Sequence, residues 1–89
     1  MPIQDIYAVV TSTAAELSVM LKADIRPEHT LFGDLAIDGD DFSFEFVPAL
    51  EKALEIKTRQ SDWDTVRTVR DAVAMLQKMV AGQTSTSGH

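Results

Sequence analysis

The sequence predicts an all-α domain of four helices, with a long loop between the first two and a short third helix. Three observations point there. Apolar residues recur at three-four spacing from Ile3 to Leu21, which is the period of one helix face. Thr68-Val69-Arg70-Asp71 has the form of a capping box and is followed by Val69, Val73, Leu76 and Val80 on one face. Only one stretch, Phe42 to Phe46, alternates with period two, and no other segment supplies a partner strand for it.

The elements follow in order. Ile3, Ile6, Tyr7, Val10, Ala14, Leu17 and Leu21 define a first helix over about 3 to 21. Asp24 to Thr30 has no periodicity, and Pro27 turns Arg26 away from helical geometry, so this segment reads as a loop pinned to the core by Ile25, Leu31 and Phe32. Ser61-Asp62-Trp63-Asp64 repeats the capping pattern over a short segment, which predicts one or two helical turns around 62 to 66 with Trp63 or Val66 turned inward. The last helix is expected over about 69 to 81, and Gly82 to His89 reads as a flexible polar tail on a domain of residues 1 to 81.

The segment from Asp38 to Ile56 carries two signals. With Phe42 at 0° and about 100° per residue, Ala53, Phe46, Leu50, Leu54 and Val47 fill one apolar arc from about 20° to about 140°. Against this helix stand the alternation at Phe42-Ser43-Phe44-Glu45-Phe46 and Pro48, which costs roughly 3 kcal/mol inside a helix. The helix is favoured because a strand would be unpartnered. It is expected to kink near Phe44 or to start late, so that Pro48 falls in its first turn.

With 89 residues the chain holds a single thin core, which rules out a multidomain enzyme and argues against a deep enclosed active site. A composition of 45% hydrophobic and 25% charged residues is that of a chain that folds alone. The absence of cysteine excludes disulfides, thiolate metal sites and cysteine nucleophiles. No run reaches 18 apolar residues and the first residues lack a signal-peptide pattern, so the expectation is a soluble, cytoplasmic protein.

Charge is localised. Asp34 to Glu55 holds seven acids and one base, a net of −6, which equals the net charge of the whole chain. A field of that density repels nucleic acid and anionic membranes and steers basic protein surfaces toward it.

The run Ile25-Arg26-Pro27-Glu28-His29-Thr30-Leu31-Phe32-Gly33-Asp34-Leu35-Ala36-Ile37-Asp38 resembles the approach to the modification site in acyl carrier proteins. There an isoleucine-x-proline-acid loop leads to an aspartate-leucine pair and then to aspartate-serine-leucine. Ala49 to Ile56 is similar to the end of that family's second helix, and Thr68 to Ala72 to the start of its last. The resemblance covers about residues 3 to 80 and implies an acyl-carrier-like four-helix bundle. It departs at the chemistry. Carrier proteins attach phosphopantetheine to the motif serine, whereas here Asp38 is followed by Gly39-Asp40-Asp41. Anchoring on the upstream loop puts Gly39 at the attachment position, and anchoring on Glu45 puts Asp40 there. Neither has the hydroxyl that a phosphodiester needs, so no cofactor is expected. Ile37 to Asp41 further resembles a small bacterial subgroup of the carrier-like superfamily with Gly-Asp-Asp in place of the serine motif.

The same residues admit other chemistries. Asp38 to Asp41 suggests a cation loop, but an EF-hand reading needs an oxygen ligand at Phe42 and a glycine at Ser43. The simpler assignment has Asp38 capping the helix and Asp40 and Asp41 at its positive end. His29 has no nucleophile motif around it and reads as a loop residue with a local hydrogen bond. Ser43, the nearest hydroxyl, falls at about 100°, on the apolar side. Glu51, Glu55, Asp41 and Glu45 fall opposite the apolar arc with Phe44 among them, the composition of a protein-binding face if Phe44 is exposed and of a core residue if the proline kink turns it inward. The function expected is therefore a non-catalytic, carrier-like adaptor that engages a basic partner through Asp38, Asp40, Asp41, Phe44, Glu45, Glu51 and Glu55. The alternatives are a working carrier modified at a site such as Ser43 and a metal-binding protein using Asp38 to Asp41.

Overall fold

The computed structural model describes residues 5–87, and the domain is all-α with no strand among them. Helix α1 is Ile6–Leu17, capped by the Asp5 carboxylate, which accepts from the Ala8 amide at 3.1 Å. The expected start at Ile3 lies outside the described residues. At the other end the helix stops four residues short of Leu21. Ser18 leaves helical geometry because its Oγ donates to the Leu35 carbonyl at 2.7 Å and accepts from the Met20 amide at 3.0 Å. Leu21 is consequently 73% exposed rather than part of the core face. A 3₁₀ turn, Lys22–Asp24, follows.

The long loop is dense with hydrogen bonds. Tyr7 Oη reaches the Ile25 carbonyl at 3.2 Å, which ties the loop to α1. His29 makes the local bond expected of it, its Nδ1 accepting from the Arg26 amide at 3.0 Å. Thr30 and Asp34 cap each other: the Thr30 amide donates to the Asp34 carboxylate at 2.9 Å and the Asp34 amide to Thr30 Oγ1 at 2.8 Å. Gly33 is required in that turn, since a Cβ there would stand 2.5 Å from Thr30 Oγ1. Leu31, Leu35 and Ile37 enter the core with Ile25, but Phe32 does not pin the loop as expected and stays 51% exposed. The loop then serves the last helix. The carbonyls of His29 and Pro27 accept from the Val69 and Arg70 amides at 3.0 and 2.8 Å, groups that the first turn of a helix leaves without partners.

Helix α2 (39–54) is one helix with a π-helical turn inside it. Gly39–Asp41 is α-helical, Phe42–Phe46 is π, and the α register resumes at Val47–Leu54 with Pro48 in its first turn. Pro48 has no amide to give to the carbonyl four residues back, and the widened turn accommodates its ring. The helix does not start late, since it begins at Gly39, and the disturbance expected near Phe44 takes the form of this π turn. α2 ends on Glu55, whose φ of 55° reverses the chain while the Ile56 amide returns to the Glu51 carbonyl at 3.0 Å.

Helix α3 is Gln60–Trp63, two to three residues earlier than the expected 62 to 66. Its cap is built on Asp62, whose carboxylate accepts from the Arg59 amide at 2.8 Å, and not on Ser61 and Asp64. Both Trp63 and Val66 are buried. Helix α4, Val69–Ser87, starts where the capping box placed it: the Asp71 amide donates to Thr68 Oγ1 at 3.1 Å and the Thr68 amide to the Asp71 carboxylate at 3.2 Å. It continues six residues past 81, so that the segment from Gly82 to Ser87 extends the helix. α1 packs on both α2 and α4, and Val10, Leu31, Leu35, Phe46, Leu50, Val69 and Leu76 are fully enclosed between them.

Candidate functional site

The first two turns of α2 collect most of the expected site. Asp38 sits at the N-cap position with extended backbone (φ −69°, ψ 148°), and its carbonyl accepts from the Phe42 amide at 2.8 Å. Its carboxylate makes no capping hydrogen bond, contrary to the simpler assignment, and is exposed. Gly39 and Asp40 are exposed, and nothing lies within 4 Å of a Cβ added at Gly39. Asp41 is half-buried, and Glu45 is exposed one helical step beyond it. Phe44 is 74% exposed. The kink does not turn that ring inward. Asp38, Asp40, Asp41, Phe44 and Glu45 therefore all lie at least partly exposed at the entry of α2.

The π turn explains why Phe42 and Ser43 point as they do. One extra residue in a turn advances everything before it by about 100° relative to the α-helical remainder. Phe42 moves from the edge of the apolar arc to its middle, where its ring stacks on Phe46 (5.4 Å between centroids, 24°) and meets Trp63 edge-on (5.3 Å, 87°). Ser43 moves by the same step from the apolar side to the exposed side, a correction to the unbroken wheel.

The other two acids do not lie at the entry of α2. Glu51 is half-buried, and its Oε2 accepts from both the amide and Oγ1 of Thr58, each at 2.7 Å. Thr58 Oγ1 in turn accepts from Trp63 Nε1 at 2.9 Å. Glu51 is thus the first member of a chain that fixes the α2–α3 connection and orients the buried indole. Glu55 is exposed at the far end of α2, in its left-handed cap, ten residues and about 15 Å of helical rise from Glu45.

Between α2 and α3 runs a groove of about 300 Å³, lined by Phe42, Ser43, Val47, Pro48, Arg59 and Trp63 among others. The sequence reading missed it. Its walls come from residues 42 to 51 and 58 to 63, which share no period, and only the need of an inward tryptophan for a hydrogen-bond acceptor hinted at the Thr58 contact. Among the described residues no three of histidine, aspartate and glutamate are arranged to hold a metal ion. No described helix is long and apolar enough to cross a membrane. Compared with models of known protein families, the chain matches none.

Proposed function

We propose that this chain is a non-catalytic, acyl-carrier-like adaptor without a phosphopantetheine arm, which engages a basic protein surface through the entry of α2. The observation that carries the reading is the exposure of Phe44, at 74%, at the helix entry that also holds Asp38, Asp40, Asp41 and Glu45. An acidic face alone is ordinary solvated surface, but a rigid aromatic side chain left in water inside it has the make-up of a binding anchor, with acids around it to steer a cationic partner. The carrier-like part of the reading is supported by the order of long helix, structured loop, acidic helix, short helix and final helix. On this reading Gly39 or Asp40 occupies the position of the carrier attachment serine, and neither has the hydroxyl that a phosphodiester needs.

The test is affinity capture with the whole chain, followed by rate measurements on the protein retained. Phe44→Ala should accelerate dissociation by an amount equivalent to about 1–3 kcal/mol. Glu45→Lys should slow association and flatten its salt dependence. Equal rates for wild type and both variants would remove the patch from the interface.

A second reading has one observation in its favour. Ser43 is exposed and borders the α2–α3 groove, so its hydroxyl is open to a modifying enzyme. On that reading the chain is a carrier modified at Ser43, and Ser43→Ala abolishes a covalent adduct.

A further inference from the structure

We propose that the groove between α2 and α3 binds a small aromatic carboxylate, its ring held among Phe42, Val47, Pro48 and Trp63 and its carboxylate paired with Arg59. This does not rest on the acidic patch. The walls are rigid before any ligand arrives. Phe42 is locked by its contacts with Phe32, Phe46 and Trp63, at 5.0, 5.4 and 5.3 Å between centroids. The Trp63 indole is tied to Thr58, and Pro48 has no free torsion of its own ring. A slot lined by flat, fixed rings cannot collapse around a thin chain, and it favours a ring that meets its walls stacked or edge-on.

The volume, about 300 Å³, is at the lower limit of ligand pockets and admits a molecule of one ring rather than a peptide segment. The polar rim sets the charge. Glu51 is half-buried, with Oε2 engaged by two Thr58 donors, whereas Arg59 stands exposed at the groove. Of the two charged side chains in the lining, the exposed one is thus a cation with a planar fork of donors, which fits a carboxylate in bidentate fashion.

Nuclear magnetic resonance titration of the isotope-labelled whole chain tests this, because Trp63 is the only tryptophan and supplies a single indole cross-peak inside the groove. Phenylacetate should shift that peak and the amides of Ser43 and Gln60 saturably, with a Kd on the order of 1 mM, as expected of about ten non-hydrogen atoms. 2-Phenylethanol, which keeps the ring and lacks the charge, and hexanoate, which keeps the charge and lacks the ring, should each bind about three- to tenfold more weakly. Arg59→Gln should reduce phenylacetate to the level of the alcohol without lowering Tm. Absence of saturable shifts, equal binding of phenethylamine, or an unchanged Kd in Arg59→Gln would overturn the proposal. Hexanoate binding as tightly as phenylacetate would overturn the aromatic assignment.

Discussion

Glu51 and Thr58 are joined by two hydrogen bonds to one carboxylate oxygen, from the Thr58 amide and from its hydroxyl, both at 2.7 Å. This pair separates two glutamates that the amphipathic pattern of α2 treats alike. Bonds to a charged acceptor contribute about 1.5–3 kcal/mol each, so Glu51→Ala should destabilise the fold by about that much or more, with the Trp63 indole loosened as a consequence. Glu45→Ala should fall within about 0.5 kcal/mol of wild type. Urea denaturation of the two variants checks this, and equal midpoints would contradict it.

The same comparison shows what the sequence made legible. The Thr68–Asp71 box was readable because both capping partners lie within one turn, and the structure closes the expected bonds. Pro48 announced a disturbance near Phe44, yet its form as a π turn was not visible, since inserting one residue in a turn leaves no compositional mark. That one step moved Ser43 from the apolar side to solvent. Glu51 was misjudged because a helical wheel knows nothing of Thr58, seven residues on and past a reversed chain. Leu21 has the right spacing for α1, but Ser18 bonds to Leu35 instead of continuing the helix. Local patterns were readable, and the errors arose at the inserted π turn and where a residue distant in sequence engaged the group in question.

Phe44 and Phe46 are two residues apart and opposite in burial, 74% and 0% exposed. Phe46→Ala should cost about 3–5 kcal/mol, the loss typical of a buried phenylalanine. Phe44→Ala should leave stability within about 0.5 kcal/mol. Thermal melts suffice, and an early-melting Phe44→Ala would show that ring to be a structural member.

Gly33→Ala should break the Thr30–Asp34 turn, because the new methyl would stand 2.5 Å from Thr30 Oγ1. Losing that mutual cap should cost about 1–2 kcal/mol, a drop in Tm of about 4–16 °C for a domain of this size. Gly39→Ala, with open space at the same distance, should melt close to wild type. Similar melting of the two variants would refute the distinction.

Asp71 is held below its ordinary pKa, chiefly by the Arg67 and Thr68 amides that donate to its carboxylate; burial opposes this, and the Thr68 hydroxyl and the Arg70 charge add smaller lowering effects. A depressed folded-state pKa stabilises the fold above the unfolded value, about 3.9, and that contribution fades as pH falls through the lower folded value. Asp71→Asn should therefore be less stable than wild type at pH 7, and the gap should narrow below about pH 4. Denaturation midpoints from pH 7 down to pH 3 give the comparison, and a gap that persists unchanged would mean the carboxylate charge is not what stabilises the cap.

Whether the position after Asp38 is a vacated attachment site is decided by intact mass after co-expression with a broad-specificity phosphopantetheinyl transferase. A carrier-like scaffold without its hydroxyl predicts an unmodified wild-type chain and a Gly39→Ser chain that gains one phosphopantetheine, since a side chain at Gly39 meets nothing within 4 Å. A wild-type chain that carries the group, and loses it in Ser43→Ala, would contradict the account and make this protein a working carrier.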